Sequence, residues 1–175
     1  MQGSNPIYVS DSTSIIVLSK IGKLHILQRL SHEIHVPRAV YAELTEAKAG
    51  KIDPSHRDGT AAIKSAHWIK VKDVADRALV QRCLATLDPG ESESIALAKE
   101  LDAELLIIDE RKGRKLAEEL KIKVTGTLGV VVRAKQIGIL SEVKSTILQM
   151  TSLQNPGGFH VSADVIAEIL KLAGE

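Results

Sequence analysis

The feature that most constrains the fold is an alternation between short β-branched runs and longer segments with helical periodicity. Strands are predicted at Ile7–Ser10, Ile34–Val36, Trp68–Val71, Leu105–Ile108 and Val124. Helices are predicted between them at about 14–30, 37–48, 59–66, 74–87, 90–102, 110–121 and 127–137. This alternation is typical of βαβ units, so it predicts an α/β fold with a mostly parallel sheet and helices on both faces.

The length of 175 residues is that of a single domain. We expect residues 1–175 to form this one domain, with a core over about 1–140 and a helical extension over about 141–175. A domain of this size buries enough apolar surface to fold without disulfides or a structural metal.

The extension contains two predicted helices, at 141–153 and 162–173. In the second helix, Val165, Ile169 and Leu172 are spaced so that they share one face. Because a lone helix needs an apolar surface to dock on, we expect this face to pack on the core of the same chain. A dimer interface or a partner interface is the alternative.

Composition excludes several classes of protein. The 23 basic and 22 acidic residues leave a net charge of +1, which rules out coating of nucleic acid by bulk positive charge. Two tyrosines, one tryptophan and one phenylalanine are too few for a single-strand binder built on base stacking. The single cysteine, Cys83, allows neither an internal disulfide nor a CxxC zinc site. Without a signal peptide or a long apolar run, we expect a cytoplasmic protein with no membrane contact.

Two aspartates directly follow the most apolar strands. Asp11 follows the first predicted strand, and Asp109 follows Leu105–Ile108. Taken singly, Asp11 has a simpler explanation as the N-cap of the next helix. Because open parallel sheets bind ligands beyond the carboxyl ends of their strands, the two acids together indicate a site.

Two glutamates on predicted helices could join them. At about 100° per residue, Glu91 lies on the same stripe as Ile95, whereas Glu93 falls on the solvated face. Interaction of Glu91 with the helix dipole explains an acid at this point, although not its place on the apolar stripe. Glu43 lies at the edge of a buried helix face, which by itself is weak evidence for a function.

Asp11, Glu43, Glu91 and Asp109 thus form a candidate set of four carboxylates on separate elements. If they converge, a divalent cation with oxygen ligands, Mg²⁺ or Mn²⁺, would offset their repulsion. Such a site is suited to phosphoryl or phosphodiester chemistry. The six histidines show no HExxH or comparable spacing, and the chain has no P-loop and no GxGxxG motif.

A basic segment begins immediately after Asp109. It contains Arg111, Lys112, Arg114 and Lys115. A solvated helix face explains any one of these side chains. A polyanion lying across all four would nevertheless present a phosphate to the acids, so they are candidate substrate-binding residues.

Six segments, in order, resemble the motifs of the PIN-domain family. They are Val9–Thr13 (the family's SDTS), Ile15–Leu27, Val36–Leu44 (VP..V..EL), Gly90–Ala98 (GEGEAEAIALA), Leu106–Lys112 (LLIDDRKAR) and Gly126–Val131 (GTLGVL). The ending Phe159–Glu175 resembles the C-terminal extension of one poorly characterised prokaryotic branch.

This resemblance implies a three-layer α/β/α sandwich and a nuclease that depends on Mg²⁺ or Mn²⁺ and usually acts on RNA. Many relatives in this family are VapC-type toxins that are held by a small antitoxin protein, so the resemblance also implies an antitoxin partner. Many relatives form dimers, so it implies a homodimer as well. Carried over by motif, the metal-binding catalytic acids are Asp11, Glu43, Glu91 and Asp109. The supporting residues are Ser12, Thr13, Glu93 and Glu110. Glu93 is the alternative third acid, and helix geometry favours Glu91.

The leading hypothesis is therefore a metal-dependent endoribonuclease, the toxin component of a type II toxin–antitoxin system. The alternative is a catalytically silent PIN-fold module that binds a protein partner. Because aromatic residues are few, we expect an RNA target to be chosen by its shape and backbone rather than by stacked bases.

Overall fold

The computed structural model describes residues 6–45, 54–153 and 159–175. Five strands lie in these ranges: β1 (Tyr8–Ser10), β2 (Ile34–Pro37), β3 (Ile69–Lys72), β4 (Leu105–Ile107) and β5 (Val124–Thr125). The helices of the first half are α1 (Ser12–Lys20), α2 (His25–Ser31), α3 (Arg38–Thr45), α4 (Pro54–Ser65) and α5 (Arg77–Cys83). Those of the second half are α6 (Pro89–Glu100), α7 (Arg111–Glu119), α8 (Thr127–Gln136), α9 (Val143–Thr151) and α10 (Ala163–Ala173).

The strands form one sheet in the order β3-β2-β1-β4-β5, and every pairing is parallel. The chain winds outward from β1 to β3, then crosses back to place β4 on the other side of β1. In register, Ser10 at the end of β1 pairs with Ile107 at the end of β4. This reversal leaves a crevice beyond the carboxyl ends of β1 and β4, where open parallel sheets bind ligands.

Helices cover both faces of the sheet. On one face, Val9 of β1, Leu106 of β4 and Ile108, which follows β4, pack with buried residues of α5, α6 and α7. On the other face, Ile107 packs with buried residues of α1, α2, α8 and α9. The predicted α/β fold, a three-layer α/β/α sandwich around a parallel sheet, is confirmed. Within the described residues, no helix combines the length and the apolar character needed to cross a bilayer.

The main departure from the predicted elements is the helix expected over 14–30. The chain forms two helices there, because Ile21 ends α1 and Gly22 adopts φ 68°. A residue with positive φ cannot continue a right-handed helix, and glycine adopts that conformation at little cost. Of the helix expected over 37–48, the structure describes Arg38–Thr45, and residues 46–48 lie outside the described ranges.

The predicted extension packs back on the core. Ile166, Ile169 and Leu170 of α10 contact the apolar cluster on the α8 side of the sheet. No residue of α10 is fully buried, however, and Leu172 is 62% exposed. The predicted shared face is therefore divided, since Ile169 is half-buried whereas Val165 and Leu172 face solvent.

Polar contacts of Glu175 connect the end of the chain after α10 to the start of α9. The Glu175 carboxylate accepts hydrogen bonds from the N–H groups of Val143 (2.7 Å) and Lys144 (2.8 Å). The same carboxylate pairs with the Lys135 ammonium at 2.6 Å. Glu175 thus caps α9 from a distance, a task that the side chain of Glu142, the N-cap residue, does not perform. The Lys135 ammonium and the α9 N–H groups lower the pKa of Glu175 to about 2.

We predict that Glu175→Gln lowers the melting temperature by several degrees at neutral pH, because the amide loses the ion pair and one of the two N–H bonds. The matched control is Glu142→Gln, which removes a neighbouring carboxylate that makes no capping bond. The pKa of Glu175 is lower in the folded protein than in the unfolded chain, so its ionised carboxylate stabilises the fold fully above pH about 4.5. This stabilisation is lost as the pH falls toward 2. Thermal denaturation over this pH range tests the prediction, and equal melting of the two variants at pH 7 contradicts it.

Candidate metal and phosphodiester site

The crevice between β1 and β4 is built around Asp11. Its backbone N–H donates to the Ile107 carbonyl at 3.0 Å, extending the pairing of the two strands by one residue. One carboxylate oxygen accepts the Thr13 N–H (3.1 Å) and caps α1, as the simpler explanation of this residue predicted. The other accepts the Asp109 N–H at 3.3 Å. Asp11 therefore serves both as a helix cap and as the link between the two strand ends.

Asp109, at the end of β4, is held in place from the N-terminus of α8. The Thr127 N–H donates to Oδ1 of Asp109 at 2.9 Å, and the Thr127 hydroxyl donates to Oδ2. The Ser14 hydroxyl lies 3.5 Å from Oδ2 and 2.7 Å from the Thr127 hydroxyl. Gly126 is what allows this approach, since a Cβ there would lie only 2.7 Å from Oδ1. The orientation of the Asp109 carboxylate is thus fixed by hydroxyl and backbone donors.

Glu91 lies in the first turn of α6, where it forms a capping box with Asp88. The Glu91 N–H donates to Asp88 at 2.8 Å, and the Asp88 N–H donates to the Glu91 carboxylate at 3.3 Å. Burial raises the pKa of Glu91 to about 7, and the charge of Asp88 adds to the effect, as do Glu110 and Glu43 more weakly. The carboxylates predicted from separate elements therefore interact electrostatically at this end of the sheet.

Glu43 reaches the same region from α3. Its carboxylate lies against Gly90, where a Cβ would come within 2.6 Å of Oε1. Gly90 is buried, whereas Glu43 as a whole is exposed, so the carboxylate lies at the rim of the crevice. A glycine just before Glu91 is therefore what allows α3 and α6 to bring their two acids together.

Among the acids of the crevice, Asp11 is the one whose ionised form is most destabilised by its surroundings. Its pKa is raised to about 8, mainly by burial and also by the carboxylates of Asp109 and, more weakly, Glu91. The backbone N–H groups of Asp109 and Ser14 oppose this shift without cancelling it. A buried acid beside like charges is stabilised when a cation shares the site.

The donor set fits Mg²⁺ or Mn²⁺, because it offers carboxylate oxygens and because Asp11 carries a buried charge in need of compensation. In residues 6–45, 54–153 and 159–175, no three histidine, cysteine, aspartate or glutamate side chains lie close enough together to bind one ion. The hydrogen bonds already described explain this spacing, since Glu91 is turned toward Asp88 and Asp109 toward Thr127.

Glu93 was expected on the solvated face of α6, and this expectation is wrong. Its side chain is only 15% exposed, accepts the Ala39 N–H at 3.1 Å and pairs with Arg77 at 3.0 Å. The starts of α3 and α5 cover this face of α6, which helical periodicity alone could not predict. Glu93 therefore joins three helices and does not turn toward Asp11.

The other supporting residues surround the two aspartates. Ser12 and Thr13 form the first turn of α1 and are half-buried, and the Thr13 N–H binds Asp11. Glu110 is exposed and caps α7 by accepting the Lys112 N–H at 3.1 Å. Its charge contributes weakly to the raised pKa of Glu91.

Two residues of the crevice, Ser14 and Thr127, received no role from the sequence. Thr127 lies in the family-like motif Gly126–Val131, and Ser14 lies about one helical turn after Asp11. These were the only signals that could have pointed to them. Neither position shows by itself that its hydroxyl meets an acid 18 or 95 residues away in the chain.

The predicted substrate-binding residues Arg111, Lys112, Arg114 and Lys115 are all exposed on α7. Of these, Arg114 lies next to the acids, because a Cβ on Gly126 would lie 3.5 Å from its Nη1 atom. The start of α7 thus places positive charge directly beside Asp109.

Comparison with protein families gives one match. The model of one family, described as a PIN domain, matches residues 7–175. The matched range includes all five strands, the acids of the crevice and the helical extension. No match to the sequence was found among curated proteins.

Proposed function

Because the chain belongs to the PIN-domain family, whose fold is of a nuclease type, we propose that it is an endoribonuclease that depends on Mg²⁺ or Mn²⁺. The observation that carries the proposal is the pair of aspartates at the crevice, with Asp11 buried and bonded to the backbone of Asp109. A structural cap needs no second acid at the next strand end, whereas a cation site does.

In this proposal, Asp11, Glu43, Glu91 and Asp109 hold the metal. The bound ion would supply a water of lowered pKa and would neutralise charge developing on the phosphate. Thr127 and Ser14 keep the Asp109 carboxylate in one orientation, since both hydroxyls lie at Oδ2. Donors of this kind raise the affinity of a metal site by fixing its ligands.

RNA is the proposed substrate, because the motifs resemble those of PIN nucleases that act on RNA. The exposed basic residues of α7 support a polyanionic substrate, since phosphate contacts supply most of the affinity for nucleic acids. The shortage of aromatic residues supports recognition through the backbone and the shape of the RNA.

We further infer that the protein is the toxin component of a type II toxin–antitoxin system, with a small antitoxin as its partner, and that it forms a homodimer. This part of the proposal is supported by the resemblance to VapC-type toxins. A partner that covered the crevice between β1 and β4 would block access of RNA to the four acids.

The test is cleavage of a fluorescently labelled single-stranded RNA by the purified wild-type protein. We expect cleavage with millimolar Mn²⁺ or Mg²⁺, none with a chelator, and recovery when metal is returned. A DNA strand of the same sequence tests the substrate class, and the Asp109→Asn variant purified in parallel controls for contaminating ribonucleases. If the wild type cleaves no better than this variant under any metal condition, the proposal is wrong and the silent interaction module is favoured.

A further inference from the structure

Arg114 differs from the other basic residues at the start of α7 in what its side chain contacts. Gly113 and Ala117 are buried, and a Cβ on Gly113 would lie 2.6 Å from Cδ1 of Ile108. This close packing places α7 against the end of β4. Arg114 flanks the packed face, whereas Lys115 lies about 200° from Gly113 around the helix and points to solvent.

The Arg114 guanidinium extends from α7 toward the loop that joins β5 to α8. The point where a Cβ of Gly126 would lie is 3.5 Å from Nη1 of Arg114 and 2.7 Å from Oδ1 of Asp109. Gly126 therefore leaves space for both groups, and an ordinary side chain there would collide with the Asp109 carboxylate. The backbone of Arg114 is fixed as well, since its N–H donates to the Glu110 carbonyl at 2.9 Å.

Although the Arg114 guanidinium is close to Asp109, it forms no ion pair with the carboxylates that the structure describes. Among the described residues, no carboxylate oxygen lies within the 4.0 Å of an ion pair with Arg114. Its N–H groups thus remain available beside the acids. A planar guanidinium can donate two parallel hydrogen bonds to a phosphate, which a lysine ammonium cannot do.

We propose that Arg114 binds the non-bridging oxygens of the scissile phosphodiester, and that the other basic residues of α7 bind the RNA backbone away from it. This inference rests on the proposed nuclease function. As negative charge increases on the non-bridging oxygens during attack, the guanidinium stabilises it without gaining or losing a proton. Arg114 then contacts the phosphate whose bond is cleaved, while Lys115 contributes to the overall affinity for RNA.

Single-turnover cleavage of a labelled RNA 10-mer, at saturating Mn²⁺, separates these roles. We expect Arg114→Ala to slow the chemical step by about 10²-fold, with the Kd for RNA, measured by fluorescence anisotropy with a chelator, changed by less than about 3-fold. Lys115→Ala should instead raise that Kd and weaken its salt dependence. The matched control is Arg82→Ala, an exposed arginine on α5 outside the crevice, which should leave cleavage unchanged.

Two further measurements distinguish phosphate binding from support of Asp109. Millimolar guanidinium should partly restore cleavage by Arg114→Ala, and Arg114→Lys should retain charge but recover only part of the rate. If Arg114 acted only through Asp109, the variant would need more Mn²⁺ but reach the wild-type rate at saturation, and the inference would be wrong. Wild-type rates in Arg114→Ala at every Mn²⁺ concentration also overturn it, while the nuclease function stands. If the wild type itself cleaves no RNA, both are wrong.

Discussion

Replacing Asp11 with asparagine should abolish RNA cleavage while leaving the fold intact. The amide removes the charge that a cation requires, and it keeps the size of the side chain and one oxygen that can still cap α1. We expect the rate to fall by at least about 10²-fold, the scale on which loss of a group that supports a metal site acts. Asp109→Asn should have the same effect on cleavage, since Thr127 and Ser14 hold this carboxylate at the crevice.

The stability of Asp11→Asn should change relative to the wild type as the pH rises. In the metal-free wild type, burial raises the pKa of Asp11 to about 8, so the fold loses stability as the pH rises from about 4 to about 8 and a charge has to be buried. Asparagine stays neutral but leaves one N–H donor without its acceptor, at a cost of about 1 kcal/mol. The variant should therefore be the less stable protein near pH 3.5 and the more stable one near pH 9, as measured by thermal denaturation with a chelator.

Asp76→Asn is the matched control for these measurements. Asp76 caps α5 by accepting the Leu79 N–H at 2.9 Å, so it has the capping role of Asp11 without the acidic crevice. Both variants lose one carboxylate at a helix N-terminus, yet only Asp11→Asn should lose cleavage. Full cleavage by Asp11→Asn, or its complete unfolding at neutral pH, contradicts the assignment of Asp11.

The sequence predicted the sheet well because burial on both faces makes its strands apolar and turns separate them clearly. It also predicted that Asp11 and Asp109 lie together at one edge of the sheet, since the end of a central parallel strand is a location that topology defines. The resemblance to PIN motifs supplied the strongest reason to include Glu43, whose helical position alone was weak evidence. Its closeness to Glu91 depends on Gly90, and no local pattern reveals that contact.

The parts that could not be predicted depend on packing between distant segments. Glu93 sits on the side of α6 that periodicity assigns to solvent, but the N-terminus of α3 covers it. Thr127 and Ser14 meet through hydroxyls 113 residues apart in the chain. The position of Arg114 beside Asp109 likewise requires the loop at Gly126, which belongs to the next βα unit.

Mn²⁺ should stabilise the protein more strongly at pH 8 than at pH 5.5. In the metal-free protein, burial raises the pKa of Asp11 to about 8 and that of Glu91 to about 7, both above their unfolded values. The protonated carboxyl groups of Asp11 and Glu91 stabilise the folded protein fully below pH about 4. This stabilisation is lost as the pH rises through 7 and 8. For Asp11 the loss approaches about 1.4 kcal/mol per pH unit within this window. Glu91, which is half exposed, contributes less because solvent screens it.

A cation reverses this dependence, because it binds the ionised carboxylates and must compete with protons at low pH. The melting temperature with millimolar Mn²⁺, minus that with a chelator, should therefore increase from pH 5.5 to pH 8. Asp11→Asn should lose most of this increase, and Asp76→Asn should keep it. A metal bound to unrelated surface carboxylates would give a shift that is already full at pH 5.5, since such groups are ionised there. An Mn²⁺ shift that does not depend on pH, or one that Asp11→Asn retains, would therefore place the metal outside the crevice between β1 and β4.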